Sequence, residues 1–260
     1  AKKGKHGRFA PGLPKINDGQ QLFVLNGLKK LAPNGKMAII QDASPLYAGD
    51  AGSGSSNIRK YILENDWLDA IIRLSTSQFM NTPIGTYIWV ISKNKPDYRA
   101  GKVQLIDASE CYKVRRRPIG KKRNDITTEC AKLIVQAYGE YKDDMRYNID
   151  EIWCESKIFP IEEFGYHKIV VERPLYDENG KIIYKNGKPV ADTALRDTEL
   201  VPMKIDIDEY LREEIKPYEP DAWIDKKKTK IGYEIPMIRY FYNFPKFKGH
   251  DELFEELKNI

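Results

Sequence analysis

The stretch that most limits the fold is Gln78-Phe79-Met80-Asn81-Thr82-Pro83-Ile84-Gly85-Thr86-Tyr87-Ile88-Trp89-Val90-Ile91-Ser92. From Ile84 to Ile91, β-branched and aromatic residues occupy both alternating positions, so neither face of a strand here is polar. Such a strand is buried on two sides, as in the middle of an α/β sheet covered by helices. Pro83 fixes its own φ and pushes Thr82 toward an extended conformation, which predicts a defined loop from Phe79 to Thr82 at a sheet end. Sheet-end loops are where α/β folds place ligand contacts, so Phe79 is the first functional candidate, set against the plainer reading of a core phenylalanine.

Upstream, the sequence alternates helix and strand. Asp18 is placed to cap a helix to about Ala32, with Leu22, Phe23, Leu25, Leu28 and Leu31 at helical spacing; Pro33-Asn34-Gly35 ends it. Lys36 to Gln41 reads as a short strand. A Gly/Ser loop, Ala48 to Ser56, precedes a helix from about Asn57 to Asn65, and either holds a phosphate or merely caps that helix through Ser55 or Ser56. It lacks the Gly-Lys-Ser/Thr ending of a P-loop and the third glycine of a dinucleotide fingerprint. Trp67 to Leu74 is the next strand, and Val103 to Ala108 reads as an edge strand after Ile84 to Ile91. This alternation implies a sheet with helical cover.

Further along, Cys111 to Arg123 holds seven basic residues in thirteen: Lys113, Arg115, Arg116, Arg117, Lys121, Lys122 and Arg123. The run reads either as a phosphate-binding surface or as a solvated basic turn before a helix. Asp125 or Thr127 caps that helix, which runs to about Tyr141 with Ile126, Cys130, Leu133, Ile134 and Ala137 on one face. Residues 148 to 170 read as a short helix or turn followed by Ile158-Phe159, and Lys168 to Arg173 as a strand. Asn179-Gly180 and Asn186-Gly187 predict a β-ribbon between Tyr176 and Val190. Residues 192 to 216 read as an acidic helix anchored by Ile205, Ile207, Tyr210, Leu211 and Ile215. Trp223 to Tyr242 mixes lysines with aromatics, a composition suited to nucleic acid or protein contact, and Asp251 to Ile260 reads as a short helix.

A length of 260 residues suffices for a sizeable core, and the net charge of +5 points only mildly to an anionic partner. No run of apolar residues is long enough to span a membrane. The basic N-terminus, Ala1 to Arg8, lacks the apolar stretch of a signal peptide, and a chain opening on alanine suggests a fragment or a processed product. Cys111, Cys130 and Cys154 are odd in number and scattered, which argues against a disulfide framework or a zinc site and for the cytoplasm.

Several segments, taken in order, resemble one family. They are Gly7-Arg8-Phe9 to Leu13-Pro14; Gln21-Leu22-Phe23; Ile39-Ile40 to Ser44-Pro45-Leu46-Tyr47; Gly49-Asp50-Ala51-Gly52-Ser53-Gly54; and Ile58-Arg59-Lys60 to Asp66-Trp67-Leu68. Gln78-Phe79 with Thr86-Tyr87-Ile88-Trp89-Val90, and Gly101 to Ala108, continue the series. The chain thereby resembles the C-terminal portion of the modification (M) subunit of type I restriction-modification systems, which are N6-adenine DNA methyltransferases. The match extends more loosely through Phe164-Gly165-Tyr166, Val171 to Leu175 and Lys230 to Pro236.

The resemblance implies an α/β fold: the C-terminal half of a Rossmann-like methyltransferase sheet, ending in a reversed hairpin strand, with a mixed helical and β-ribbon C-terminal extension. It divides the chain into a basic arm or loop (1–17), half of the methyltransferase-like domain (18–110), a basic helical segment (111–170), a β-ribbon and helical extension (171–236) and a tail toward a partner subunit (237–260). It implies S-adenosylmethionine as cofactor of the parent protein, DNA as substrate, and the specificity and restriction subunits of the same system as partners.

Two family motifs are absent: the acidic Gly-x-Gly segment for the methionine end of the cofactor, and Asn/Asp-Pro-Pro-Tyr/Phe. Adenine N6 is a poor nucleophile because its lone pair is delocalised into the ring. The missing Asn or Asp accepts hydrogen bonds from the amino group during transfer, so the chain alone is expected to be inactive. What the resemblance leaves is a base pocket, with Phe79 and, more weakly, Tyr47 as aromatic faces for a flipped adenine. It also leaves the seven basic residues of 113–123 as a DNA contact. Asp42 stands where family members often carry Asn. A different class of function, a non-catalytic methyltransferase-like module that binds DNA or protein, fits the same residues.

Overall fold

A computed structural model describes residues 6–242. Helix α1 (Gln20–Lys30) buries Val24, Leu25 and Leu28 and leads into strand β1 (Lys36–Gln41). A four-residue helix α2 (Ser44–Tyr47) carries Pro45 in its first turn, where a missing N–H leaves no bond unmade. Helix α3 (Gly54–Glu64) and strands β2 (Leu68–Leu74), β3 (Tyr87–Ser92) and β4 (Lys102–Ala108) follow. A hairpin of β5 (Lys113–Ile119) and β6 (Lys122–Asp125) precedes helix α4 (Thr128–Glu140), then β7 (Met145–Ile149), β8 (Ile152–Pro160) and β9 (Gly165–Glu172). The remaining elements are β10 (Tyr184–Lys185), β11 (Lys188–Pro189), β12 (Asp197–Pro202), α5 (Ile207–Tyr210), β13 (Trp223–Ile224), β14 (Lys230–Tyr233) and α6 (Met237–Phe241).

The main sheet has the order β1-β3-β2-β4-β8-β7. Strand β3 runs antiparallel between β1 and β2, with Trp89 opposite Ile39 on one side and Ile71 on the other. This is the place and direction that the resemblance gives to the reversed hairpin strand. Strands β2 and β4 are parallel. Because successive side chains point to opposite faces, Ile71, Trp89, Ile91 and Leu105 enter one core with α1 and α3, while Ile72, Leu74, Ile106 and Ala108 enter another with Cys130, Leu133, Ile134 and Ala137 of α4. A second sheet centres on β9, flanked by β12 on one side and by β13 and β14 on the other, with its own core of Ile169, Val171, Val201, Ile215 and Ile224. Tyr233, Ile235 and Met237 of this extension pack into the first core.

The structure corrects several expectations. The apolar run begins its strand only at Tyr87: Ile84 is 49% exposed and, with Gly85, belongs to the preceding loop. Strand β4 is interior rather than an edge, because β8 pairs along it from Lys102↔Pro160 to Asp107↔Glu155. Residues 145–160 form the β7–β8 hairpin, so of the short helix or turn expected from 148 it is the turn that is present, at Asp150 with φ 52°, within two paired strands. Within the expected acidic helix, Asp197–Pro202 is a strand against β9, and the helical part runs from Ile207 to Ile215. Asp18 does not cap α1; its carboxylate accepts from the Ser44 hydroxyl and from Gln20 Nε2. Helix α3 starts at Gly54 and is capped by Ser53, whose hydroxyl accepts from the Ser56 amide at 3.4 Å. Thr127, not Asp125, caps α4. The expected helix at Asp251 to Ile260 lies outside the described residues.

Candidate nucleic-acid face and strand-end cavity

The loop joining β2 to β3, residues 75–86, is closed at its base by the Leu74 amide on the Thr86 carbonyl (2.8 Å) and across its middle by the Ser77 amide on the Pro83 carbonyl (3.1 Å). Gln78 is buried and donates to the Ser75 hydroxyl. The outer side of this loop carries the β5–β6 hairpin. The Lys121 amide donates to the Met80 carbonyl at 2.8 Å, and the Arg123 and Asn124 amides donate to the Ser77 carbonyl at 2.9 and 3.2 Å. The Asn124 side-chain amide adds a bond to the Thr76 carbonyl at 2.9 Å. Gly120 sits at φ +59°, and a Cβ there would lie 2.5 Å from the Met80 carbonyl oxygen, so this close approach requires glycine.

Phe79 therefore lies between the two residues whose carbonyls hold the basic hairpin. It is half-buried. The basic run is a β-hairpin, not a turn. Two of its cations are committed internally: Arg115 Nη1 donates to both Asp125 oxygens at 2.8 and 2.6 Å, and Lys122 Nζ lies 3.0 Å from Asp125. Hydrogen bonds from Arg115 and then Lys122 hold the Asp125 carboxyl below its ordinary range. Lys113, Arg116, Arg117, Lys121 and Arg123 are exposed and make no ion pair among the described residues.

Beside the loop, a cavity of about 510 Å³ opens at the carboxyl ends of β1, β2 and β4; Asp42, Tyr47, Arg73, Ile84, Tyr87 and Tyr112 are among its walls. Tyr47, on the last residue of α2, is 55% exposed and presents to this cavity, whereas Phe79 does not line it. Arg73 stands in register with Tyr87 on β3 and with Asp107 on β4, and its Nη1 donates to Asp107 Oδ2 at 3.0 Å. Asp107 also accepts from the Ser109 amide at 3.0 Å. Burial raises the pKa of the Tyr87 hydroxyl, which keeps it a neutral donor at physiological pH. Asp42 accepts from the Ser44 amide at 2.8 Å.

The Arg73–Asp107–Tyr87 group was not among the sequence candidates. Its signal is present all the same: Arg73 and Asp107 are charged residues set near the C-terminal ends of largely apolar strands. Only the parallel register of β2 and β4 shows that the two meet.

Asp42, the carboxylate at the end of β1, is engaged at the start of α2. The N-terminal arm packs directly against the start of α3, since a Cβ on Gly54 would lie 1.8 Å from the Leu13 carbonyl oxygen. Burial raises the thiol pKa values of Cys111 and Cys154, the latter to about 12, so neither is a thiolate at neutral pH. Among the described residues there is no group of three metal-ligating side chains and no helix long and apolar enough to cross a membrane.

Residues 1–163 match the family model described as N-6 DNA Methylase. The chain is 29% identical over 209 residues to the type I restriction enzyme MjaIX methylase subunit of Methanocaldococcus jannaschii, covering 78% of this chain and 35% of that protein. It is 26% identical over 231 residues to the HindI methylase subunit of Haemophilus influenzae, covering 87% of this chain and 47% of that one. Its fold is similar to that of the type I restriction-modification system methyltransferase subunit from Streptococcus thermophilus, with a TM-score of 0.51 and 26% identity over 62% of this chain and 31% of that one. The chain thus spans less than half the length of these relatives. Enzymes of the matched family generally use S-adenosylmethionine. With a reversed β3 between β1 and β2 and a model match over most of its length, this chain belongs to the N-6 DNA Methylase family.

Proposed function

We propose that the chain is part of a DNA (adenine-N6) methyltransferase subunit, and that the strand-end cavity, the Phe79 loop and the β5–β6 hairpin form its DNA-facing side. The observation that carries this reading is the hydrogen-bonded docking of the basic hairpin on the loop that bears Phe79. A DNA backbone neutralised by Lys113, Arg116, Arg117, Lys121 and Arg123 would run beside the cavity mouth. An adenine extruded from that strand into the cavity would meet Tyr47 as a stacking face, with Arg73 and Tyr87 offering N–H and O–H donors to the ring edge, while Phe79 would stand on the loop outside it, beside the strand.

The S-adenosylmethionine used by the parent protein would be held by residues other than these, and no Asn/Asp-Pro-Pro-Tyr/Phe is present to accept hydrogen bonds from the adenine amino group. The chain alone is accordingly inactive in methyl transfer, and the specificity and restriction subunits of a type I system are its partners.

The test is DNA binding by the chain at two salt concentrations, beside a variant with Lys113, Arg116, Arg117, Lys121 and Arg123 changed to Gln. Loss of a salt-sensitive affinity in the variant supports the reading; equal binding by both proteins removes the hairpin from it. Methyl transfer from labelled cofactor to DNA by the chain alone would overturn the proposed inactivity.

A further inference from the structure

We infer that the N-terminus of α3 is a phosphate site, occupied by a backbone phosphodiester of the strand whose base enters the strand-end cavity; the identity of the occupant rests on the DNA reading above. A second cavity, about 400 Å³, opens at this helix end, with Lys15, Asn17, Ser53, Gly54 and Ser55 among its walls. Helix α3 is eleven residues long, and its first free amides point into this region. Ser53 takes the Ser56 amide, and the Asn57 amide bonds the Ser53 carbonyl, but the amides of Gly54 and Ser55 have no acceptor among the described residues.

Ser55 supplies the second, independent observation. It is only 8% exposed, it lines the cavity, and its hydroxyl makes no hydrogen bond among the described residues. Helical side chains tilt toward the helix N-terminus, which turns this unpaired hydroxyl toward the helix end that carries the two unpaired amides. Lys15 is exposed and has no ion pair among the described residues. Asp18 also lines the cavity, but its carboxylate is occupied by the Ser44 hydroxyl and Gln20.

The place of this site favours a nucleic-acid strand. Ser44 lines both cavities, so the second opens alongside the first, on the side away from the basic hairpin. A strand crossing the strand ends would be gripped at the hairpin on one side of the extruded base and at α3 on the other.

The experiment uses the whole chain. Isotope-labelled protein is titrated with inorganic phosphate, and the Gly54 and Ser55 amide resonances are followed. In parallel, the affinity and salt dependence for a short single-stranded oligodeoxynucleotide are measured for wild type, for Lys15→Gln with Ser55→Ala, and for the hairpin variant. The inference expects phosphate to shift both amides, and the Lys15/Ser55 variant to bind the oligonucleotide about tenfold more weakly with a salt slope shallower by about one. Unchanged binding in that variant, with weakened binding in the hairpin variant, overturns the α3 site and leaves the DNA reading standing. Amides that do not respond to phosphate overturn the site whatever the DNA result. Amide shifts without any oligonucleotide binding by wild type support the anion site and refute its DNA occupant.

Discussion

Arg59 Nε donates to the Tyr233 carbonyl oxygen at 2.5 Å, and with the Tyr233 amide on the Ser56 hydroxyl (3.3 Å) this bond joins α3 to the last strand of the second sheet. The same guanidinium, fully buried, also donates to the carbonyls of Pro45 (3.1 Å), Ala48 (2.8 Å) and Gly49 (3.3 Å). It thereby fixes the backbone on both sides of Tyr47. Burial lowers its pKa to about 10, which still leaves it charged at neutral pH. Carbonyls, not a carboxylate, are its hydrogen-bond acceptors.

Replacing Arg59 with Leu is expected to take this donor from the buried Tyr233 carbonyl and from the part-buried Ala48 and Gly49 carbonyls, at up to about 1–3 kcal/mol each, because the leucine has nothing to donate. Arg59→Lys can reach fewer of them and should fall between. Urea unfolding of the two variants measures this, and a loss below about 1 kcal/mol for Arg59→Leu would show that water replaces the guanidinium at little cost.

Ile71 is fully buried on β2 with Trp89 opposite it on β3, and it faces the core shared with α1 and α3. Ile71→Ala should destabilise the chain by about 2–5 kcal/mol, while Val135→Ala, on the exposed side of α4 at 67% exposure, should change stability little. A similar loss from both, by denaturant unfolding, would mean that the sheet face is not the packed layer described.

The periodic parts of the fold were legible. Lys36 to Gln41 is a strand over the very residues expected, and Thr127 and the apolar face of α4 stood out as a cap and a helix. The failures came where long-range pairing decides. Ile152–Pro160 carries Glu155 and Lys157 among apolar residues and is a strand because β4 and β7 lie on either side of it. Without that partner in view, β4 looked like an edge. The basic run and Phe79 were each singled out, but nothing local reveals that the Ser77 and Met80 carbonyls join them. Arg73 and Asp107 are 34 residues apart and meet only through strand register.

Glu172 gives the second sheet a pH dependence. Its side chain is 2% exposed, and it accepts from Arg196 Nε at 2.9 and 3.0 Å and from Lys228 Nζ at 2.6 Å. Burial alone would raise its pKa, but the hydrogen bonds from Arg196 and Lys228 outweigh it and the net shift is downward. A carboxylate with a folded pKa below its unfolded value contributes stability above the unfolded value, about 4.3, and loses it as pH falls through the folded one. The amides of β9 and β12 should therefore lose hydrogen-exchange protection below about pH 4.3 more steeply in wild type than in Glu172→Gln. Parallel losses in the two proteins would assign the acid sensitivity to other groups.

Gly120 offers the most direct handle on the proposed DNA face. A methyl there would meet the Met80 carbonyl at 2.5 Å and would also be held at φ +59°. Gly180 is a matched control, at φ +74° with nothing within 4 Å of its Cβ, so Gly180→Ala carries the backbone strain alone. Strain of this kind costs about 1–3 kcal/mol. Gly120→Ala should expose the Lys121 and Arg123 amides to exchange and weaken DNA binding without removing a single charge, whereas Gly180→Ala should do neither. If Gly120→Ala frees those amides yet binds DNA as wild type does, the cations act from a mobile hairpin, and its docking beside Phe79 is not what positions the strand.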